Sequence, residues 1–138
     1  HHAFLGFDPK KKIGILVLAS TAALVGDEVA VAVYSDLAGE PYTPRPLKTA
    51  LFLGSAQAAA YAGRYRLAPT QELIVKADGG RLTLQVPPQQ PVGLYLEAED
   101  RFFFRVVEAG VTFHRGAGGR VERLTLHQNG DHPAPRIE

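Results

Sequence analysis

In this 138-residue sequence, which has no Cys, serines, histidines and carboxylates are among the side chains able to do covalent or acid–base chemistry. A nucleophilic serine needs a base within hydrogen-bond reach and donors for the oxyanion. Ser55 follows Gly54 without a Gly-x-Ser-x-Gly elbow, and ahead of an Ala-rich stretch it reads as the N-cap of a short helix. Asn129-Gly130 is a strong signal for a two-residue hairpin turn. With that turn, Gln128 pairs with Asp131 and His127 with His132, setting two imidazoles side by side. Two imidazoles are half a zinc site, which Asp131 or Glu138 would have to complete; a solvated edge pair accounts for them without a metal. His1 and His2 read as a pair of native or tag residues with no functional meaning. Glu97, Glu99 and Asp100 fall in a turn as exposed charges, so a glycosidase pair has no support. Lys10-Lys11-Lys12 reads as a solvated loop, and Gly116-Ala117-Gly118-Gly119 lacks the Lys-Ser/Thr of a phosphate loop. The residues taken singly supply no catalytic set, no metal site and no cofactor site.

Composition narrows the remaining classes. Lys plus Arg number 15 against 14 Asp plus Glu, and neither half of the chain is enriched in one sign, which argues against a nucleic-acid partner. Zero Cys excludes disulfides and thiol catalysis and leaves the compartment open. No apolar run approaches the length of a membrane span, and residues 1–4 lack the basic start of a signal peptide.

The elements that must position any site fall on either side of a proline-rich stretch. Pro41, Pro44 and Pro46 lie within six residues, which excludes helix or inner strand and predicts a linker over 41–54. Before it, Ala3–Phe7 and Lys11–Ser20 form a hairpin around Asp8-Pro9-Lys10. The arm Ile13–Ala19 is apolar at nearly every position, as a strand covered on both faces inside a larger sheet would be. Asp27–Leu37 fits a strand by its Val-Ala alternation, but its length and end signals predict a helix. Residues 1–40 thus form one unit and 55–138 another.

In the second unit a short Ala-rich helix at Ser55–Tyr61 precedes eight short runs separated by turn residues. Strands are expected near Tyr61–Leu67, Glu72–Asp78, Arg81–Val86, Val92–Glu97, Arg101–Val107, Val111–Arg115, Arg120–Gln128 and Asp131–Arg136. The fold class is therefore mainly β, an antiparallel barrel of about eight strands. Leu73, Val75, Leu82, Leu84, Phe102, Phe104, Val111, Phe113, Leu124 and Leu126 share its inner face, where they line an apolar ligand cavity or fill a solid core. The number of aromatics among them favours a filled core. Val121 has the opposite parity from Leu124 and Leu126, so it points outward or a bulge intervenes. Phe103 needs a cover outside the barrel, for which the Ala-rich helix is at hand.

Phe4-Leu5-Gly6-Phe7-Asp8-Pro9 and Ile13-Gly14-Ile15-Leu16-Val17-Leu18-Ala19-Ser20 resemble the closing strands of the serine β-lactamase and penicillin-binding-protein-like superfamily, class C type. Tyr61-Ala62-Gly63-Arg64-Tyr65, Phe102-Phe103-Phe104, Phe113, Gly119-Arg120-Val121, Leu124 and Gln128-Asn129-Gly130 resemble the lipocalin-like C-terminal domain that many such hydrolases carry. The resemblance implies an α/β catalytic domain to which the hairpin and helix belong, a secreted or periplasmic location, and a parent acting on amide or ester bonds through an acyl-enzyme. The family's Ser-x-x-Lys is absent, since Ser20, Ser35 and Ser55 are followed three residues on by Ala23, Ala38 and Ala58. Tyr-x-Asn is absent too, Asn129 being the lone Asn, and Lys48-Thr49-Ala50 lacks the glycine of the third motif, whose place lies upstream of His1. No catalytic residue is carried over. The expected partners are the rest of the catalytic domain and, through the unpaired hairpin, a second copy of the chain; the alternatives are a hairpin folded back on its own barrel, and a stand-alone lipocalin-like binder of a small apolar ligand.

Overall fold

The computed structural model describes residues 2–20, 25–46 and 48–138. His1 of the His pair and Leu47 of the expected linker lie outside them. Two compact units emerge, His1–Leu47 and Lys48–Glu138.

In the first unit β1 (His2–Asp8) and β2 (Ile13–Ala19) pair antiparallel, Asp8 opposite Ile13. The Asp8 carboxylate accepts from the backbone N–H of Lys10 and Lys11, at 2.8 and 3.1 Å, which organises the turn. Helix α1 (Val25–Ala38) opens with Asp27 and Glu28, favourable at a helix N-terminus. It packs on one face of the hairpin, burying Gly26 and Ala30. Two polar contacts pin it: Tyr34 donates to Asp8 Oδ2 at 2.9 Å, and His2 Nε2 meets Asp27 Oδ1 at 2.8 Å. The Lys11 backbone N–H above all, then the Tyr34 hydroxyl, hold the Asp8 carboxyl below its ordinary pKa. The opposite face of the hairpin is bare. Register brings Leu5 to Leu16 and Ala3 to Leu18 on that face, where Leu5, Phe7, Leu16 and Leu18 are all more than half exposed.

The second unit is an eight-strand meander. After α2 (Ser55–Tyr61) come β3 (Gly63–Ala68), β4 (Gln71–Asp78), β5 (Arg81–Gln85), β6 (Val92–Ala98), β7 (Arg101–Phe103), β8 (Gly110–Arg115), β9 (Val121–His127) and β10 (Asp131–Pro135). Each strand pairs antiparallel with the next. The barrel nearly closes where the chain beyond β10 returns to β3: Ile137 N–H donates to Arg64 O at 2.8 Å and Arg64 N–H to Glu138 O at 3.1 Å. Period-two burial explains the curling, because Leu82 and Leu84, Leu94 and Leu96, and Val111 and Phe113 all turn to one core. Residues 48–54 lie along this unit. Leu51 N–H donates to Leu96 O at 2.8 Å, and Leu53 enters the core. Gly80 is needed there, as a Cβ would collide with the Leu53 carbonyl oxygen.

Several local expectations are corrected. Strand β7 stops at Phe103 rather than Val107: Phe104 N–H still reaches Ala109 O at 3.3 Å, and residues 105–108 bend out of the ladder. Phe103 is covered by Tyr95, ring centroids 5.7 Å apart, and by the Lys48 ammonium, whereas α2 packs over β4 and β5. Gly54, not Ser55, is the N-cap of α2, with no side-chain cap. For Val121 the bulge alternative holds: it is buried, with Arg115 paired to Val121 and His114 to Arg123, leaving Glu122 as the extra residue. The last hairpin has three loop residues, Gln128 to Gly130, with Asn129 at φ +53, so His127 faces Asp131 and His132 faces Leu126. The two imidazoles are therefore not cross-strand partners.

Candidate functional site

All ten residues expected on the inner face occupy one buried cluster. They share it with Tyr61 and Tyr65, which are fully buried. Tyr61, Phe102 and Phe113 stack edge to face or tilted with centroids 4.7 to 5.4 Å apart, and Tyr65 meets Phe113 at 5.8 Å. Tyr61, the last residue of α2, brings the helix to Phe102 and Phe113. Tyr65 donates to the carbonyl of Tyr61 at 2.7 Å, and burial pushes its phenol up to about 12. Tyr61 donates to Asp100 Oδ1 at 2.7 Å. Arg115 binds both Asp100 oxygens through Nε and Nη2 at 2.8 to 3.0 Å, and its guanidinium stands 5.3 Å from the Tyr61 ring centroid.

Asp100 is thus not the exposed turn carboxylate that its neighbours Glu97 and Glu99 suggest. Burial pulls its pKa up, but hydrogen bonds from Arg115 and Tyr61 outweigh that and leave it below the ordinary value. The same bond to Asp100 leads in raising the pKa of Arg115. Nothing local in the sequence marks this trio, since 39 residues separate Tyr61 from Asp100 and 15 separate Asp100 from Arg115. Its chemistry is that of a staple. The carboxylate is held ionised and its acceptor positions are taken up by protein donors.

The outer face of β8, β9 and β10 carries a second polar group. His127 Nδ1 lies 2.6 Å from Asp131 Oδ1 and its Nε2 lies 2.8 Å from Thr112 Oγ1; His114 Nε2 lies 2.9 Å from Thr125 Oγ1. Burial first, then the positive charge of Arg123, depresses the pKa of His114. Among the described residues no group of three or more His, Cys, Asp or Glu is placed to hold a metal ion. In the first unit His2, Ala3, Leu18, Ala19 and Ser20 line an open groove.

Residues 53–135 match the model of a family described as a domain of unknown function, DUF3471, which takes in nearly all of the barrel. The chain belongs to the DUF3471 family. This family is known as a C-terminal domain of β-lactamase-like proteins. Among solved structures, the DUF3471 chain is similar to a crystal structure of SurE with D-Leu, at 22% identity and a TM-score of 0.52, a likeness of fold. The match covers 82% of the present chain and spans 28% of the length of SurE. The search of curated proteins returned no match. No helix among the described residues is long and apolar enough to cross a membrane.

Proposed function

We propose that this chain is the non-catalytic C-terminal portion of a β-lactamase-like serine hydrolase that opens amide or ester bonds through an acyl-enzyme, with the barrel as its accessory or assembly domain. One observation carries the reading: a DUF3471 barrel follows, in the same chain, a hairpin and helix with one apolar face uncovered. A lone two-stranded sheet is marginal in water, and Leu5, Phe7, Leu16 and Leu18 form the kind of face that an inner sheet layer buries. The rest of the catalytic domain is the partner that such a face requires; when it is missing, a second copy of the chain takes its place. The nucleophile and base motifs belong upstream of His1. The ring-filled core favours an accessory role over carriage of an apolar ligand. A secreted or periplasmic location goes with the resemblance.

The test is the coding sequence upstream of His1, expressed with this chain. Ser-x-x-Lys and Tyr-x-Asn are expected there, with the first Ser labelled by a β-lactam or a fluorophosphonate. An upstream region without these motifs overturns the reading, as does strong thermal stabilisation of the 138-residue chain by fatty acids.

A further inference from the structure

Three side chains outside the barrel form a relay. Asp131 Oδ1 stands 2.6 Å from Nδ1 of His127, and Nε2 of the same ring stands 2.8 Å from the Thr112 hydroxyl. Register produces it. Asp131 faces His127 across β9 and β10, while the residue facing His127 on β8 is Gly110, two positions before Thr112. With no side chain at Gly110, the imidazole is free to lean along β8 and reach Thr112. A carboxylate on Nδ1 holds the proton there and leaves Nε2 as the acceptor, so the Thr112 hydroxyl donates to the ring. This is the arrangement of a nucleophile, its base and the group that orients the base.

Two neighbours bear on the assignment. Arg101 of β7 is the direct cross-strand partner of Thr112, with its guanidinium 3.8 Å from the Glu97 carboxylate. Thr125 is paired with His114 in the same way at 2.9 Å, but no carboxylate is hydrogen-bonded to His114 among the described residues. The two threonines differ in that third group.

We propose that Thr112 is an acyl-acceptor site, taking the acyl group of an activated ester with His127 as base and Asp131 as the orienting carboxylate. Thr112 Oγ1 bonds to the ester carbonyl carbon as its proton passes to His127 Nε2. The carbon–oxygen bond to the leaving group then breaks, and the departing phenolate takes the proton from Nε2. The products are a threonyl ester and a phenol, in a single acylation rather than a turnover. The site is separate from the Ser-x-x-Lys chemistry of the upstream domain and does not depend on it.

The experiment treats the 138-residue chain with p-nitrophenyl acetate, quenches in acid and maps the peptides by mass. One acetyl group is expected on Thr112, released by alkaline hydroxylamine as an ester is and a lysine amide is not. Positioned general bases contribute roughly 10²–10⁴-fold, so His127→Gln should slow the labelling by about tenfold or more. Asp131→Asn should slow it as well, since an amide can stabilise the wrong tautomer. Thr112→Val should abolish labelling at this position and Thr112→Ser should keep it, with Thr125 unlabelled throughout. Should His127→Gln fail to fold by circular dichroism, Asp131→Asn, at an exposed strand end, decides the matter. Acetyl groups on lysines alone, equal labelling of Thr112 and Thr125, or undiminished labelling in the folded base or carboxylate variant overturns the proposal.

Discussion

Asp100 adopts φ +57, a conformation that Asp and Asn tolerate better than other non-glycine residues, and its carboxylate ties the β6–β7 turn to α2 and β8. Asp100→Asn keeps the turn and an acceptor for Tyr61 but leaves Arg115 without its counter-charge. Hydrogen bonds to charged groups are worth about 1.5–3 kcal/mol, and a loss of that size in urea unfolding is expected. Because the folded pKa of Asp100 lies below 3.8, its contribution is present above that value and disappears as pH falls through the folded one. The gap in Tm between wild type and Asp100→Asn should therefore close in acid. Tyr65 runs the other way. Its phenol is raised from 10.0 to about 12, so the neutral form's contribution is intact below pH 10 and lost as pH rises toward 12. Tyr34, Tyr42 and Tyr61 are raised as well, so phenolate absorbance should show a late titration that includes Tyr65 and accompanies unfolding. Tyr65→Phe should shrink that late step by one tyrosine and cost about 1 kcal/mol at neutral pH.

Strands were legible where burial is one-sided. Residues 82–86 and 111–115 alternate, and alternation survives translation into a sheet because the side-chain period is two. Registers were less so, since one loop residue more or fewer moves every pair. Asn129-Gly130 invited a two-residue turn; the added Gln128 placed His127 opposite Asp131 and created the relay to Thr112. The packing of residues 48–54 against the barrel was not legible, because Leu51 is held by Leu96 and Leu53 by a distant core. The seam between β3 and the C-terminal residues gives an element-scale prediction. A Cβ on Gly63 would run into Glu138 O and the Arg136 guanidinium. Overpacking of this kind costs about 1–3 kcal/mol. Gly63→Ala should lower Tm and speed hydrogen exchange at Arg64 and Ile137 before other strands respond.

At the scale of the whole molecule the two units differ in how completely they bury apolar surface. The barrel strands keep their large side chains inside, with Leu51 and Phe52 exposed ahead of them, whereas the hairpin unit exposes Leu5, Phe7, Leu16 and Leu18 on one face and Val29, Val33 and Leu37 along α1. Each fully buried side chain of this size is worth about 1.5–3 kcal/mol, so pairing even a few of them drives association at ordinary concentrations. Light scattering should find a dimer or larger species. Leu16→Glu, or removal of residues 1–40, should return the mass to that of a monomer; a monomer mass at every concentration for the intact chain would count against the self-association proposed above.

Mechanical load is where the closing seam has its consequence. The strand that opens the barrel and the residues that close it lie side by side, Gly63 and Arg64 against Ile137 and Glu138. Tension applied through the two ends of this unit therefore meets the seam at its tip. Antiparallel hydrogen bonds lie across the strands, so such a pull opens them one after another, as a zipper, and not all together in shear. Ahead of the zipper stands α2, fastened by the Tyr61 bond to Asp100. The Leu51 bond to Leu96 O and the buried Leu53 meet the force before that staple, and the seam yields bond by bond once they let go.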